Sequence, residues 1–158
     1  MSESKTTHNA GQVAAEGRTR GRVLALDLGL KRVGVAVSDE LRLSVRPLPA
    51  IARTSWKQLL RTLAQLCEQF DVKSVVIGLP LRLDGTEGDA AAEARRIARN
   101  LGLSLSVEVH LQDERLTSKD AEQRLRAAGF NEREVKERVD SEAAALILSD
   151  FLHHRQDF

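Results

Sequence analysis

Two apolar runs in the first quarter of the chain predict a pair of buried strands. Residues 22–28 and 33–37 are rich in Val, Leu and Ala, as strands buried on both faces are. The short segment 29–31 joins them and predicts a hairpin. One acid, Asp27, lies inside the first run, and burying a carboxylate without a partner costs roughly several kcal/mol. We therefore expect either a metal ion or a hydrogen-bonding partner beside Asp27.

Strand and helix patterns alternate along the rest of the chain, and capping pairs mark several helix starts. Three further strands are predicted: an edge strand over 43–52 with two prolines, a buried strand over 73–79 and a half-buried strand over 103–111. Two helices lie between them, one from Trp56 to near Asp71 capped by Ser55 and one over about 87–101 capped by Thr86. The last third is predicted to hold a helix from Thr117 to Gly129, a short helix over 131–135 and a buried terminal helix that begins at Asp140. This order, β-β-β-α-β-α-β-α-α, predicts an α/β fold. We expect a five-stranded mixed sheet, its first three strands antiparallel and the later ones parallel crossovers, with helices on both faces.

Composition narrows the class of protein. The 158 residues carry a net charge of +1, so binding to nucleic acid would need local basic patches rather than a global positive field. A single cysteine excludes an intrachain disulfide and fits a reducing, cytoplasmic compartment. No apolar run is long enough to span a bilayer. Residues 1–20 are small and polar, which predicts a flexible N-terminal tail before one domain over 21–158.

Acids at the ends of the predicted elements suggest chemistry. Asp27 is late in the first strand, Asp113 and Glu114 follow the last strand, and Asp140 opens the terminal helix. Ligands of such sheets gather outside the carboxyl ends of the parallel strands. Carboxylates that converge there repel one another unless a cation neutralises them. Oxygen ligands suit Mg²⁺ or Mn²⁺, and a pair of such ions can cleave a phosphodiester.

Each acid also has a simpler interpretation. Asp27 can accept hydrogen bonds from backbone N–H groups, and Asp140 is a favoured residue for capping a helix. Glu114 can be a solvated loop acid or a partner of Arg115. The pattern alone does not choose between Glu114 and Asp113 as a metal ligand.

Four segments, taken together and in order, resemble the YqgF/RuvX family. They are 26–36 (LDLGLKRVGVA), 78–80 (GLP) with 84–88 (DGTEG), 113–118 (DERLTS) and 140–145 (DSEAAA), and they span roughly 22–153. Members of this family are RNase H-like proteins related to Holliday-junction resolvases, and are also named as nucleases of the small-subunit ribosomal RNA precursor. One departure is Leu30, where family members often carry Thr.

The resemblance implies an RNase H-like fold and a metal-dependent endonuclease that uses Mg²⁺ or Mn²⁺, as two ions. The family's catalytic, metal-binding carboxylates fall on Asp27, Glu114 and Asp140. The implied substrate is nucleic acid, either precursor ribosomal RNA or a four-way DNA junction. Resolving a junction takes paired cuts, so that substrate implies a homodimer with twofold symmetry.

Basic residues complete the predicted site. Lys31 and Arg32, just beyond Asp27, could hold a phosphate, or could simply form a solvated hairpin tip. Arg82 and Arg115 are weaker candidates for binding nucleic acid. Aromatic residues make up only 3% of the chain, so we expect recognition of backbone and shape rather than base stacking as the main source of affinity.

Two other functions fit parts of the sequence. The Asp-x-Gly hairpin followed by Gly-Val-Ala also resembles the phosphate-binding hairpin of sugar kinases and actin-like proteins. The chain is too short for the two domains that those proteins close around a nucleotide. A non-catalytic RNA-binding module for ribosome assembly is the other alternative, and the presence of all three acids argues against it.

Overall fold

The computed structural model describes residues 21–114 and 117–156. This part of the chain forms the strands and helices β1 (Arg22–Leu28), β2 (Arg32–Ser38), β3 (Val45–Ala52), α1 (Trp56–Gln69), β4 (Val72–Leu79), α2 (Asp89–Ser104), β5 (Glu108–Asp113), α3 (Thr117–Ala127) and α4 (Glu132–Gln156).

The strands form one mixed sheet in the order β3-β2-β1-β4-β5. The first three strands pair antiparallel, whereas β4 is parallel to both β1 and β5. The predicted five-stranded mixed sheet is therefore confirmed. The most apolar strand, β1, lies at its centre, and its Asp27 pairs with Gly34 of β2.

The two faces of the sheet have different packing. Leu24 and Leu26 of β1 face α1 and α2, in a core of large side chains. Ala25 of β1 and Ala36 of β2 face α4, on the other side of the sheet. Because these side chains are small, α4 can approach the sheet closely. Asp27 alternates with Leu26 along the strand and so lies on the α4 face.

Helix α4 passes very close to the sheet at Gly34. A Cβ atom there would lie 1.9 Å from the backbone oxygen of Asp140. One residue further along α4, the Ser141 hydroxyl accepts a hydrogen bond from the Val35 N–H at 3.4 Å. Because Gly34 also pairs with Asp27, this crossing brings Asp140 next to Asp27.

The predicted strand over 103–111 was wrong at its start. Helix α2 continues through Gly102 to Ser104, and the Leu105 N–H still donates to the Leu101 carbonyl at 2.8 Å. The strand β5 starts only at Glu108 and ends at Asp113. Leu103 is fully outside the core. The apparent alternation of apolar residues therefore mixed the last turn of a helix with a later strand.

The predicted break before Asp140 was also wrong. Residues 132–156 form one continuous helix, so Asp140 is in the helix interior and is not its cap. Asn131 is the residue that caps the helix. Its side-chain oxygen accepts the Glu134 N–H at 2.9 Å, and the Glu134 carboxylate accepts the Asn131 N–H at 3.1 Å, as in a capping box.

Two other predicted caps can be compared with the structure. Ser55 caps α1 as expected, since its hydroxyl accepts the Gln58 N–H at 3.2 Å. The Thr86 cap of α2 was wrong. Gly88 precedes that helix without a side-chain cap, and the Thr86 hydroxyl donates to Asp84 at 2.6 Å instead. Both the backbone N–H and the hydroxyl of Thr86 bind the Asp84 carboxylate in the Asp-Gly turn, so this hydroxyl does not cap the helix.

No helix within 21–114 or 117–156 combines the length and apolar character needed to cross a membrane. The predicted flexible tail, residues 1–20, lies outside the described residues. The division of the chain at residue 21 therefore stays a prediction.

We predict that Gly34→Ala destabilises the fold while Gly102→Ala does not. The added methyl at residue 34 would collide with the backbone of α4, and overpacking of this kind costs about 1–3 kcal/mol or more. At residue 102 the nearest atom would be a Val109 methyl at 3.9 Å, so alanine should leave stability unchanged or raise it by up to about 1 kcal/mol. Urea denaturation of both variants measures the difference. Equal denaturation midpoints would contradict the close crossing of α4 over β2.

Candidate active site

Two acids meet at the carboxyl ends of the parallel strands. Asp27, near the end of β1, is only 7% exposed, and Glu114 directly follows β5. Their side-chain carboxyls are hydrogen-bonded to each other. Gly78 of β4 makes room for the pair, because a Cβ atom there would lie 2.6 Å from a Glu114 carboxylate oxygen. The backbone fixes Glu114 as well, through its N–H to the Leu79 carbonyl at 3.2 Å.

The two carboxyls share a proton near neutral pH. Burial, above all, raises the pKa of Glu114, and with the charge of Asp27, the hydrogen bond to Asp27 and the charge of Asp113 it brings this pKa to about 9. Burial also raises the pKa of Asp27, although the hydrogen bond from Glu114 opposes that shift. Protonated Glu114 is therefore the donor and ionised Asp27 is the acceptor.

Asp140 is the third acid of this cluster. It lies on α4, half-buried, and its charge is one of the causes that raise the pKa of Asp27. Burial raises the pKa of Asp140 too, while the guanidinium of Arg32 lowers it. The Arg32 Nε lies 3.6 Å from a carboxylate oxygen of Asp140. The structure thus brings Asp27, Glu114 and Asp140 to one edge of the sheet, with Arg32 beside them.

The donor chemistry of this cluster fits a divalent cation. Three carboxyls offer the hard oxygen ligands that Mg²⁺ and Mn²⁺ prefer, and a cation would relieve the repulsion that raises the pKa of Glu114. Among the described residues, however, no group of three or more His, Cys, Asp or Glu side chains is arranged to hold a metal ion. The hydrogen bond between Glu114 and Asp27, and the guanidinium of Arg32 beside Asp140, reduce the repulsion among the three acids.

The predicted basic residues have different surroundings. Lys31 is exposed at the tip of the β1–β2 hairpin, beside Leu30, which is 95% exposed. Arg82 turns back on its own loop, where its guanidinium lies 3.4 Å from the Glu87 carbonyl oxygen. Arg115, the remaining candidate, lies outside the described residues. Among the described residues, Arg32 is therefore the one basic candidate with a contact to one of the three acids, Asp140.

Sequence reasoning missed Arg53, which ties down the hairpin next to Asp27. Its guanidinium donates to the Gly29 carbonyl at 2.8 Å and also binds the carboxylate of Glu93 on α2. Its backbone N–H donates to the Lys31 carbonyl at 2.8 Å. The only cue in the sequence was an arginine immediately after an edge strand, which is too common a pattern to single out a residue.

The strand order and the acids at the carboxyl ends define an RNase H-like fold. A solved structure of the fowlpox virus resolvase with substrate Holliday junction DNA shares this fold. Its TM-score is 0.52 at 11% sequence identity, and the match covers 84% of this chain and 97% of that chain. At this identity the likeness concerns the fold alone.

The chain belongs to the RuvX family. The family model, described as "RuvX: Holliday junction resolvase", matches residues 21–154. A protein of Anaeromyxobacter sp. (strain K), named "Putative pre-16S rRNA nuclease", is 44% identical over 134 residues, 85% of this chain and 98% of the relative. A protein of the same name from Syntrophus aciditrophicus (strain SB) is 44% identical over 131 residues, 83% of this chain and 87% of the relative. These matches confirm the family resemblance seen in the four sequence segments.

We predict that the metal-free protein loses stability as pH rises from about 4.5 to about 9, and that Glu114→Gln removes most of this loss. Between these values the folded protein keeps a proton on Glu114 that the unfolded chain has released. For one group the slope has a limit of about 1.4 kcal/mol per pH unit. The free energy of unfolding, measured by urea denaturation in EDTA at several pH values, gives the slope.

The matched control for this experiment is Glu68→Gln, which changes an exposed glutamate on α1. It should keep the wild-type pH dependence. If Glu114→Gln and Glu68→Gln have the same pH profile as the wild type, the proton shared by Asp27 and Glu114 is not a feature of the folded protein.

Proposed function

We propose that this protein is a metal-dependent endonuclease that hydrolyses phosphodiester bonds in structured nucleic acid. The observation that carries the proposal is the buried, hydrogen-bonded pair of Asp27 and Glu114, with Asp140 close enough to affect the pKa of Asp27. A cluster of buried acids with raised pKa values lowers the stability of a fold, and such clusters concentrate at functional sites. A purely structural pair of buried side chains would be better served by apolar groups.

Asp27, Glu114 and Asp140 are the proposed ligands of Mg²⁺ or Mn²⁺, bound as two ions. When bound, such ions activate a water molecule and stabilise the charge that develops on the phosphate oxygens. The chain's own residues hold the ions and set their position at the end of the sheet. Because metal ligands must be ionised, binding should release the proton of Glu114.

Lys31 and Arg32 are the proposed contacts to the substrate phosphates. Lys31 is exposed next to the acid cluster in sequence, on a hairpin that Arg53 holds at both Gly29 and Lys31. Arg32 lies 3.6 Å from Asp140, and a cation that neutralises this acid would leave the guanidinium for a phosphate. Arg82 and Arg115 remain weaker candidates for the same role.

The proposed substrate is the precursor of 16S ribosomal RNA. Its support is the name shared by relatives that are 44% identical over most of their length. The description of the family model as a Holliday junction resolvase supports a second candidate, a four-way DNA junction. That substrate would require a homodimer, because a junction is resolved by paired cuts. Either substrate fits the cytoplasmic location inferred from the cysteine content.

We predict that the purified protein cleaves precursor 16S RNA with Mg²⁺ or Mn²⁺, but not with Ca²⁺ or in EDTA. Ca²⁺ takes more ligands at longer distances and should distort the site. Asp27→Asn should lower the cleavage rate at least about a hundredfold, since even a group behind a metal ligand is worth 10–100-fold. Gel assays on the RNA and on a four-way DNA junction, run side by side, measure both substrates.

Asp71→Asn is the matched control. Asp71 is an exposed acid just before the amino end of β4, whereas the acid cluster lies at the carboxyl ends of the parallel strands. The Asp71→Asn variant should cleave at the wild-type rate.

Lys31→Ala should raise KM with little change in kcat if the lysine only binds the substrate. Equal cleavage rates in EDTA and in Mn²⁺ would contradict a metal-dependent nuclease.

A further inference from the structure

A cavity of about 300 Å³ lies between the start of α1 and the middle of α2, on the sheet face opposite α4. It is therefore separate from the carboxylate cluster. Its lining residues are Arg53, Thr54, Ser55, Trp56, Leu59, Arg96, Ile97 and Asn100. These side chains include two arginines and no acid, and the nearby Glu93 is already bound to Arg53. The cavity thus has an excess of positive charge.

Two polar side chains that line this cavity have no partner in the part of the chain that the structure describes. Within 21–114 and 117–156, the side chains of Arg96 and Asn100 make no hydrogen bond or ion pair, although both residues line the cavity. Both residues lie on the stripe of α2 that also carries Glu93 and Ile97, at helical spacing. An arginine and an amide that converge without partners can bind a phosphate and the polar edge of a base.

Trp56 gives the cavity an aromatic wall. It is the only tryptophan of the chain, which has no tyrosine, and it is 37% exposed at the first position of α1. Every nucleobase can stack on an indole face, whatever its sequence. A cavity lined by both an indole and a guanidinium suits a nucleotide, because a nucleotide has both a ring and a negative charge.

Arg53 connects this cavity with the edge of the sheet that carries the acids. It lines the cavity, and its guanidinium also donates to the Gly29 carbonyl in the loop that follows Asp27. The same loop carries the exposed Lys31. Arg53 therefore belongs to the cavity and is also hydrogen-bonded to the hairpin that carries Lys31.

We propose that this cavity binds one nucleotide of a single-stranded segment of the substrate, with its base on Trp56 and its phosphate on Arg96. The identification of the ligand as part of a nucleic-acid strand rests on the proposed nuclease function. This contact anchors the strand away from the bond to be cleaved. It adds one stacking contact to a surface that otherwise recognises the backbone.

Trp56 is itself the reporter that tests the proposal. A single-stranded RNA of eight nucleotides, added in EDTA to an Asp27→Asn protein that cannot cleave, should quench the intrinsic fluorescence of Trp56. Anisotropy of the labelled RNA measures binding independently. Arg96→Ala should weaken binding about 5- to 10-fold and lower the log–log salt slope by about 0.7. Arg99→Ala, an equal loss of charge on the same helix but outside the cavity, should change affinity less than twofold.

Substitutions of Trp56 separate stacking from charge. Trp56→Ala should weaken RNA binding about tenfold by anisotropy, whereas Trp56→Phe should restore most of the affinity because it keeps an aromatic ring. RNA binding without quenching would overturn the proposal, and so would equal effects of Arg96→Ala and Arg99→Ala. Equally tight quenching by adenosine monophosphate would identify a site for free nucleotides and overturn the strand contact.

The outcome is distinguishable from failure of the proposed nuclease. Cleavage of the RNA precursor by the wild type, with no quenching of Trp56 by the short RNA, would overturn the cavity proposal alone. Quenching that depends on Arg96, in a protein without nuclease activity, would support the cavity and contradict the catalytic assignment.

Discussion

The hydrogen bond between the carboxyls of Asp27 and Glu114 is the interaction on which the arrangement of this edge of the sheet depends. Two buried acids repel each other unless they share a proton or a cation. Here the shared proton requires Glu114 to remain protonated, and its pKa is raised to about 9. The surrounding chain holds this unfavourable pair in place because the sheet and α4 are fixed by many apolar contacts elsewhere.

Small residues determine how closely the third acid can approach. Gly34 lets the backbone of α4 pass directly over β2, and Gly78 leaves room for the Glu114 side chain. Ala25 and Ala36, which also have small side chains, lie under the same helix. A larger residue at Gly34 would push α4 away and would move Asp140 away from Asp27. The positions of the acids therefore follow from backbone packing as much as from the acids themselves.

The sequence predicted the structure correctly where the hydrophobic pattern kept one period, that of a strand or of a helix, along a whole segment. The central strands, the mixed sheet with its antiparallel start and the unusual acid in β1 all follow from apolar runs and from chain connectivity. It was a poor guide where two elements with different periods adjoin, as at Leu103, which belongs to a helix and not to β5. It also failed at Asp140, because an acid before an apolar run looks like a cap whether the helix begins there or earlier.

Contacts between distant segments were beyond sequence reasoning. The hydrogen bond from Arg53 to the Gly29 carbonyl joins residues 24 positions apart in the sequence. No local sequence pattern predicts a contact at that separation. The shared proton of Asp27 and Glu114 likewise depends on burial, which only the packed structure provides. The roles of the three acids as metal ligands stay predictions, since they rest on the family resemblance and on donor chemistry.

Thermal melting of wild-type protein and Asp27→Asn, each with and without Mn²⁺, tests the proposed metal site most directly. An ion that binds only the folded state stabilises it by about 2.7 kcal/mol at a hundred times its Kd. We predict that wild-type protein melts higher with Mn²⁺ and that Asp27→Asn loses most of this shift. Without metal, the variant should melt at or above the wild type, because one repelling charge is gone. A variant that melts lower than the wild type without metal, yet keeps the full shift with Mn²⁺, would contradict this prediction.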